Sequence, residues 1–151
     1  MDTQLVEILG QNWLVNELLK AEIETARPSR DRGIDLIAYL DRSKTASSFV
    51  ARPIQLKAAT KEVFSLDSKY EKTKGLLLVY IWYVQDNSKT IAFALSYKQA
   101  FEIAEQKGWT KTNSWKKNNS YSNNQPGKEL KDLLKGYQMT NDKWYKVISE
   151  V

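Results

Sequence analysis

Gly33-Ile34-Asp35-Leu36-Ile37-Ala38-Tyr39, then Phe49-Val50-Ala51-Arg52-Pro53-Ile54-Gln55-Leu56-Lys57, is the part of the chain on which the fold turns. Both runs read as strands, and the polar stretch from Asp41 to Ser48 between them reads as a hairpin loop. Side chains alternate along a strand, so Gln55 and Lys57 share one face while Ile54 and Leu56 fill the other. Pairing the two strands brings Asp35, Gln55 and Lys57 together. A carboxylate, an amide oxygen and an ammonium at one spot suit a divalent cation and a phosphate oxygen. The triplet by itself is weak, because solvated polar residues on a wet hairpin face are the commoner case. Glu105-Gln106-Lys107 and Glu129-Leu130-Lys131 spell a related pattern, but in helical segments where such residues do not face one another.

Outward from the hairpin, Thr3 to about Glu22 reads as a helix capped by Asp2 or Thr3, with Leu5, Ile8, Leu9, Val15, Leu18 and Leu19 as its apolar face. Ile23 to Arg27 is a short strand ended by Pro28, and Ser29 to Gly33 is a charged turn. Pro53 implies an irregularity or an unpaired side in its strand. Asp67 to Thr73 reads as a short helix. Leu76 to Val84 is apolar throughout, as a strand buried on both faces should be. Asp86-Asn87-Ser88 is a turn, Thr90 to Leu95 a strand, and Ser96 caps a helix through Lys107 with Phe101 and Ala104 inward. Residues 108–128 are polar, basic and aromatic without a clear period. Lys128 to Tyr137 reads as the last helix. The whole is expected to be one α/β domain over residues 1–151.

Composition narrows the chemistry. With 23 Lys and Arg against 18 Asp and Glu the net charge is +5, a modest bias toward nucleic acid or an anionic surface. The absence of cysteine excludes disulfides and thiolate chemistry, and the absence of histidine excludes imidazole acid–base catalysis and the usual zinc sites. A metal here is expected to be a hard cation held by oxygen. The longest apolar run is too short to span a bilayer as a helix, and an intracellular, cytoplasmic protein is expected.

On these strands and on the preceding Gly10-Gln11-Asn12-Trp13-Leu14-Val15, the chain resembles the PD-(D/E)xK nuclease superfamily over about residues 10–58, roughly a third of its length. The resemblance implies the restriction-endonuclease-like αβββαβ core, a mixed sheet flanked by helices. Asp35 matches the family's strand Asp and Lys57 its lysine. Gln55 stands where the triplet usually has Glu or Asp, a variation found in some branches. Gln11 falls at the helix-acid position, which also resembles the junction-resolvase branch. Leu9-Gly10-Gln11-Asn12-Trp13, Asp31-Arg32-Gly33-Ile34-Asp35 and Gln55-Leu56-Lys57 together are similar to the homing endonucleases encoded in cyanobacterial group I introns. Glu would be normal at position 11. Gln is isosteric but uncharged, and is expected to be an inactivating substitution; the alternative is an ordinary polar residue bordering the apolar face of the first helix.

The resemblance implies hydrolysis of double-stranded DNA with Mg²⁺ or another divalent cation, held by Asp35 and Gln55, and with Lys57 acting on the water or the phosphate. It places the protein in a bacterial cytoplasm, with the nucleoid when bound to DNA. A one-site nuclease cuts both strands as a homodimer or homotetramer. The strand Leu76 to Val84 and the tail residues Trp144, Tyr145, Val147 and Ile148 are open between interface and core. Candidate DNA contacts are Arg27, Arg30, Arg32, Arg42 and Lys44 around the hairpin, and Lys111, Asn113, Lys116, Lys117, Asn118, Asn119 and Asn123 in the later segment, with Asn124 and Gln125 beside them. Either set is equally consistent with a solvated loop. Trp115 and Tyr121 read as packing anchors. A nucleic-acid-binding protein that lost its acids, a restriction enzyme and a junction resolvase remain alternatives.

Overall fold

The computed structural model describes residues 1–43, 45 and 47–150. A five-stranded mixed sheet is flanked by helices. Its strands are β1 (Glu24–Ala26), β2 (Leu36–Asp41), β3 (Phe49–Ala58), β5 (Leu77–Trp82) and β6 (Ile91–Ser96), in that spatial order. Only the β3–β5 pair is parallel. Between β3 and β5 the chain forms β4 (Phe64–Asp67), which pairs with β7 (Ser120–Asn123) as a separate two-stranded ribbon. The expected short helix at Asp67 to Thr73 is a five-residue 3-10 helix, Ser68–Lys72. Its entry is held by Asp67, whose carboxylate accepts the Lys69 N–H at 2.9 Å.

β3 changes partner along its length. Residues 49–54 pair with β2, and residues 54–58 pair with β5. Pro53 therefore removes no bond to β5, whose pairing begins one residue later; the unpaired side expected from the proline is there. Beyond Ile54, β2 and β3 separate, and Gln55, Leu56 and Lys57 enter a gap that β2 does not fill.

Every residue of β5 is buried, as its unbroken apolar run requires. Leu77, Val79 and Ile81 face one core with Leu14, Leu18, Ile54, Trp144 and Ile148. Leu78, Tyr80 and Trp82 face another with Phe64, Phe93, Ala104, Trp109 and Leu134. The first core lies under α1 (Thr3–Lys20) and α5 (Asn141–Ser149). The second lies under α2 (Tyr97–Gln106) and α4 (Lys128–Leu134), with α3 (Asn113–Asn118) beside the ribbon. Ser96 caps α2 through a reciprocal box with Gln99. Leu76 to Trp82, Val84 and the tail residues Trp144 and Ile148 are thus core, with Val147 packed partly buried against it, while Tyr83 is half-buried and Tyr145 exposed.

The apolar face expected for α1 is corrected by its packing. Leu5, Ile8, Leu9 and Leu19 are exposed, and the buried line is Val6, Gly10, Leu14 and Leu18. Gly10 explains the rotation. A β-carbon there would lie 2.4 Å from the Ala58 β-carbon, so the glycine lets the helix backbone descend onto β3. Gly10→Ala should gain about 1 kcal/mol of helix propensity and lose about 1–3 kcal/mol to overpacking, a net destabilisation. Denaturant melts check this, and adding Ala58→Gly should recover much of the loss.

Candidate functional site

Where β2 and β3 part, α1, the segment leading into β2, β3 and the 3-10 helix Ser68–Lys72 together line a cleft of about 390 Å³. Gln11, Asp35 and Gln55 line it together with Glu7, Asp31, Lys69 and Tyr70. Gln11 reaches it because it follows Gly10, which is pressed onto the sheet; its Nε2 donates to the Asp35 carbonyl at 3.3 Å. Asp35 lies one residue before β2, and its N–H still donates to the Ile54 carbonyl at 2.8 Å. Its carboxylate crosses the gap, where Oδ2 accepts the Leu56 N–H at 2.7 Å. This satisfies a backbone donor that β2 no longer meets. Burial pushes the Asp35 carboxyl above the usual carboxylate range. The Leu56 N–H opposes that rise, the Asp31 charge adds to it, and the Lys57 ammonium opposes it.

Gln55 extends the same register opposite Asp35. Its Nε2 makes a long contact of 3.4 Å to the Leu56 carbonyl, and its Oε1 is buried without a hydrogen-bond partner among the described residues. Lys57 is the departure from simple convergence. Its ammonium does not line the cleft but donates to the Tyr70 hydroxyl at 2.8 Å, and Tyr70 stands at the wall. Burial pushes the Lys57 ammonium below its usual range, against the pull of Asp67 and Asp35. Asp31 closes its turn by accepting the Gly33 N–H at 3.2 Å, with Gly33 at a φ of 82° that favours glycine. The site thus gathers three of the four residues expected at it directly, and the fourth through Tyr70. Tyr70, Lys69 and Glu7 carried no sequence signal, because their segments do not adjoin the hairpin in the chain.

Among the described residues, no three His, Cys, Asp or Glu side chains gather in a group able to hold a metal. Of the cleft's carboxylates, Asp35 stands between Gln11 and Gln55, while Glu7 and Asp31 also line the cleft.

The basic residues fall in two places. Arg27, Arg30 and Arg32 are exposed on the segment that leads into the cleft rim at Asp31 and Gly33. Arg42 lies past the far end of β2 and donates to the Ser149 carbonyl at the end of α5. Lys44 lies outside the described residues. Lys111 is exposed on a 3-10 turn, and Asn113, Lys116, Lys117 and Asn118 are exposed on α3. Asn119 ends α3 in the left-handed conformation, and its carbonyl accepts the Ser68 N–H at 2.8 Å. Asn123 sits in β7, where its side chain accepts the Gln125 N–H. Residues 108–128 are therefore tied to the turn that carries Lys69 and Tyr70 into the cleft. Trp115 and Tyr121 are half-buried anchors, Tyr121 lying 4.5 Å from the Trp109 ring and Trp115 6.0 Å from Phe101. Among the described residues, no helix is long and apolar enough to cross a membrane.

Compared with known proteins, the chain matches no family model, no curated protein and no solved structure.

Proposed function

We propose that this chain is a sequence-specific, metal-dependent double-strand DNA endonuclease of the restriction-endonuclease-like, intron-homing kind, weakened by Gln at position 11. One observation carries the reading. Gln55 Oε1 is a buried acceptor without a hydrogen-bond partner among the described residues, in the cleft that holds the Asp35 carboxylate. Such an atom costs about 1–3 kcal/mol unless something meets it. A hard divalent cation such as Mg²⁺ suits an amide oxygen beside a carboxylate. Asp35 and Gln55 would hold it, with position 11 as a third oxygen. The bound ion would supply an activated water and stabilise charge on the phosphate.

The chain's own groups do the rest. Asp35 is held in place by the Leu56 N–H, so its carboxylate is preorganised. Lys57 offsets charge that grows on the phosphate. The resemblance adds 5′-phosphate and 3′-hydroxyl ends as products. With one anionic oxygen among the three positions, the cation is held weakly, and DNA is bound but cut slowly or not at all. Cutting both strands calls for a homodimer or homotetramer.

The exposed lysines of α3 are the proposed phosphate contacts. Lys116→Ala and Lys117→Ala should each lower the salt dependence of DNA binding by about one unit of log K against log salt. Fluorescence anisotropy across a salt series reads this. Unchanged slopes would remove α3 from the interface.

A second reading rests on the same two glutamines: a nucleic-acid-binding protein on a nuclease scaffold, without catalysis. The test that separates them is Mg²⁺-dependent digestion of a genomic-fragment library by the Gln11→Glu protein, with Lys57→Ala added as control. Discrete fragments that vanish in the control support the nuclease. Intact DNA with salt-sensitive binding retained supports the second reading. Restriction and junction-resolving enzymes would be told apart from a homing enzyme by the length and form of the DNA that is cut.

A further inference from the structure

We propose that Tyr70 is a positioning residue for Lys57, its hydroxyl fixing where the ammonium stands at the wall of the cleft. This deepens, and rests on, the nuclease reading. A lysine is a point charge on a flexible four-carbon stem with three rotatable donors, so its usefulness depends on what orients it. Here the orienting group is on a different element. Lys57 Nζ lies 2.8 Å from the Tyr70 oxygen and 4.6 Å from the ring centroid.

Tyr70 is itself held. It is buried at 7 % exposure on a 3-10 helix that Asp67 caps at one end, and the Ser68 N–H ties to Asn119. The exposed Lys69 ammonium lies 5.2 Å from the same ring and 4.0 Å from Asp67. The phenol accepts from Lys57 and keeps its own proton to donate. Because Tyr70 lines the cleft and Lys57 does not, the lysine's charge is presented to the cleft past this hydroxyl. The turn that bears Tyr70 also joins the basic segment through Asn119, so the device connects the proposed DNA-contacting surface to the lysine.

Tyr70→Phe keeps the ring and removes the oxygen. In the Gln11→Glu protein it should slow single-turnover cleavage about 10- to 100-fold, as loss of an orienting hydrogen bond does. DNA affinity should change by less than about twofold, since no phosphate contact is removed. Added to Lys57→Ala, it should cause no further loss. A second readout needs no cleavage: in ¹⁵N-lysine-labelled protein, a slowly exchanging Lys57 ammonium signal should be seen and should vanish in Tyr70→Phe. Cleavage by Tyr70→Phe at the parent rate, equal losses with and without Lys57, or an unchanged ammonium signal would each overturn the proposal. If the Gln11→Glu parent cuts nothing, the nuclease reading fails and the positioning role with it. If the parent cuts and Tyr70→Phe cuts as fast, only the role of Tyr70 fails.

Discussion

On the proposed nuclease reading, Gln11→Glu should raise Mg²⁺-dependent cleavage by at least about 10²-fold, since changes to groups that merely support metal ligands already cost 10- to 100-fold. The substitution would place a further carboxylate beside Asp35 in a cleft that Glu7 and Asp31 also line, at the position the proposed reading gives to a metal ligand, and hard cations favour anionic oxygen. It also changes the protein without metal. Gln11 Nε2 now donates to the Asp35 carbonyl at 3.3 Å, and Glu has no donor for that contact. The new carboxylate would also stand near Asp35, whose carboxyl burial and Asp31 already push upward. The metal-free variant should therefore melt below the Gln11 protein, and Mg²⁺ should raise its melting temperature more than it raises that of the Gln11 protein. Single-turnover cleavage and thermal melts over a Mg²⁺ series measure both effects. If the two proteins respond to Mg²⁺ alike in rate and in melting temperature, position 11 is not a metal position.

The reason these two readouts belong together is that the same electrostatics sets both. Repulsion between carboxylates is relieved most fully by a cation or a proton, so a site of the proposed kind would be a local weakness without metal, and Gln11 would lessen that weakness. A trapped nuclease and a binding-only protein thus differ not in the resting architecture but in what restoring one charge does.

How far the sequence carried the fold depends on where each element finds its partners. β5 is buried on both faces and its apolar run says so without tertiary information. The β2–β3 hairpin is local, so alternation and a polar loop were enough, and Pro53 marked where β3 exchanges one neighbour for another. β4 and β7 left no comparable mark. Ser120-Tyr121-Ser122-Asn123 has little strand propensity, and it is a strand because it pairs with Phe64–Asp67 far away in the chain and rests Tyr121 on Trp109. The α1 face expected from periodicity holds at Leu18 and Val15 but not at Leu5, Ile8, Leu9 and Leu19, for a related reason. Periodicity weighs bulky side chains, while the line that touches the sheet runs through Gly10, where absence of bulk is the packing feature. The site divides the same way. Asp35, Gln55 and Gln11 belong to elements the sequence identifies, whereas Tyr70 reaches Lys57 from a turn whose position depends on the β4–β7 ribbon.

The tail offers the sharpest energetic check on that placement. Trp144→Ala should cost about 3–5 kcal/mol, the usual range for truncating a buried tryptophan. For a chain of 151 residues that is a fall in melting temperature of about 10 °C or more. Trp144 is 1 % exposed and Ile148 is fully buried, in the core that also holds Leu14, Leu18 and Ile54. Arg52 from β3 donates to the Val147 carbonyl, and Arg42 to the Ser149 carbonyl, so the end of α5 is held by two guanidinium groups as well as by packing. The Arg52 Nε also bonds to the Gly75 carbonyl at 2.9 Å, which joins α5 to the segment leading into β5. Were the tail an accessory that only covers a partner, Trp144→Ala would leave the melt of the free chain nearly unchanged. The packing requires the opposite. It also makes α5 a support for the cleft at one remove, because the β3 residues that hold it run directly on to Gln55 and Lys57. Circular-dichroism melts of the parent and of Trp144→Ala decide between the two, and a difference under about 2 °C would be too small for a buried tryptophan.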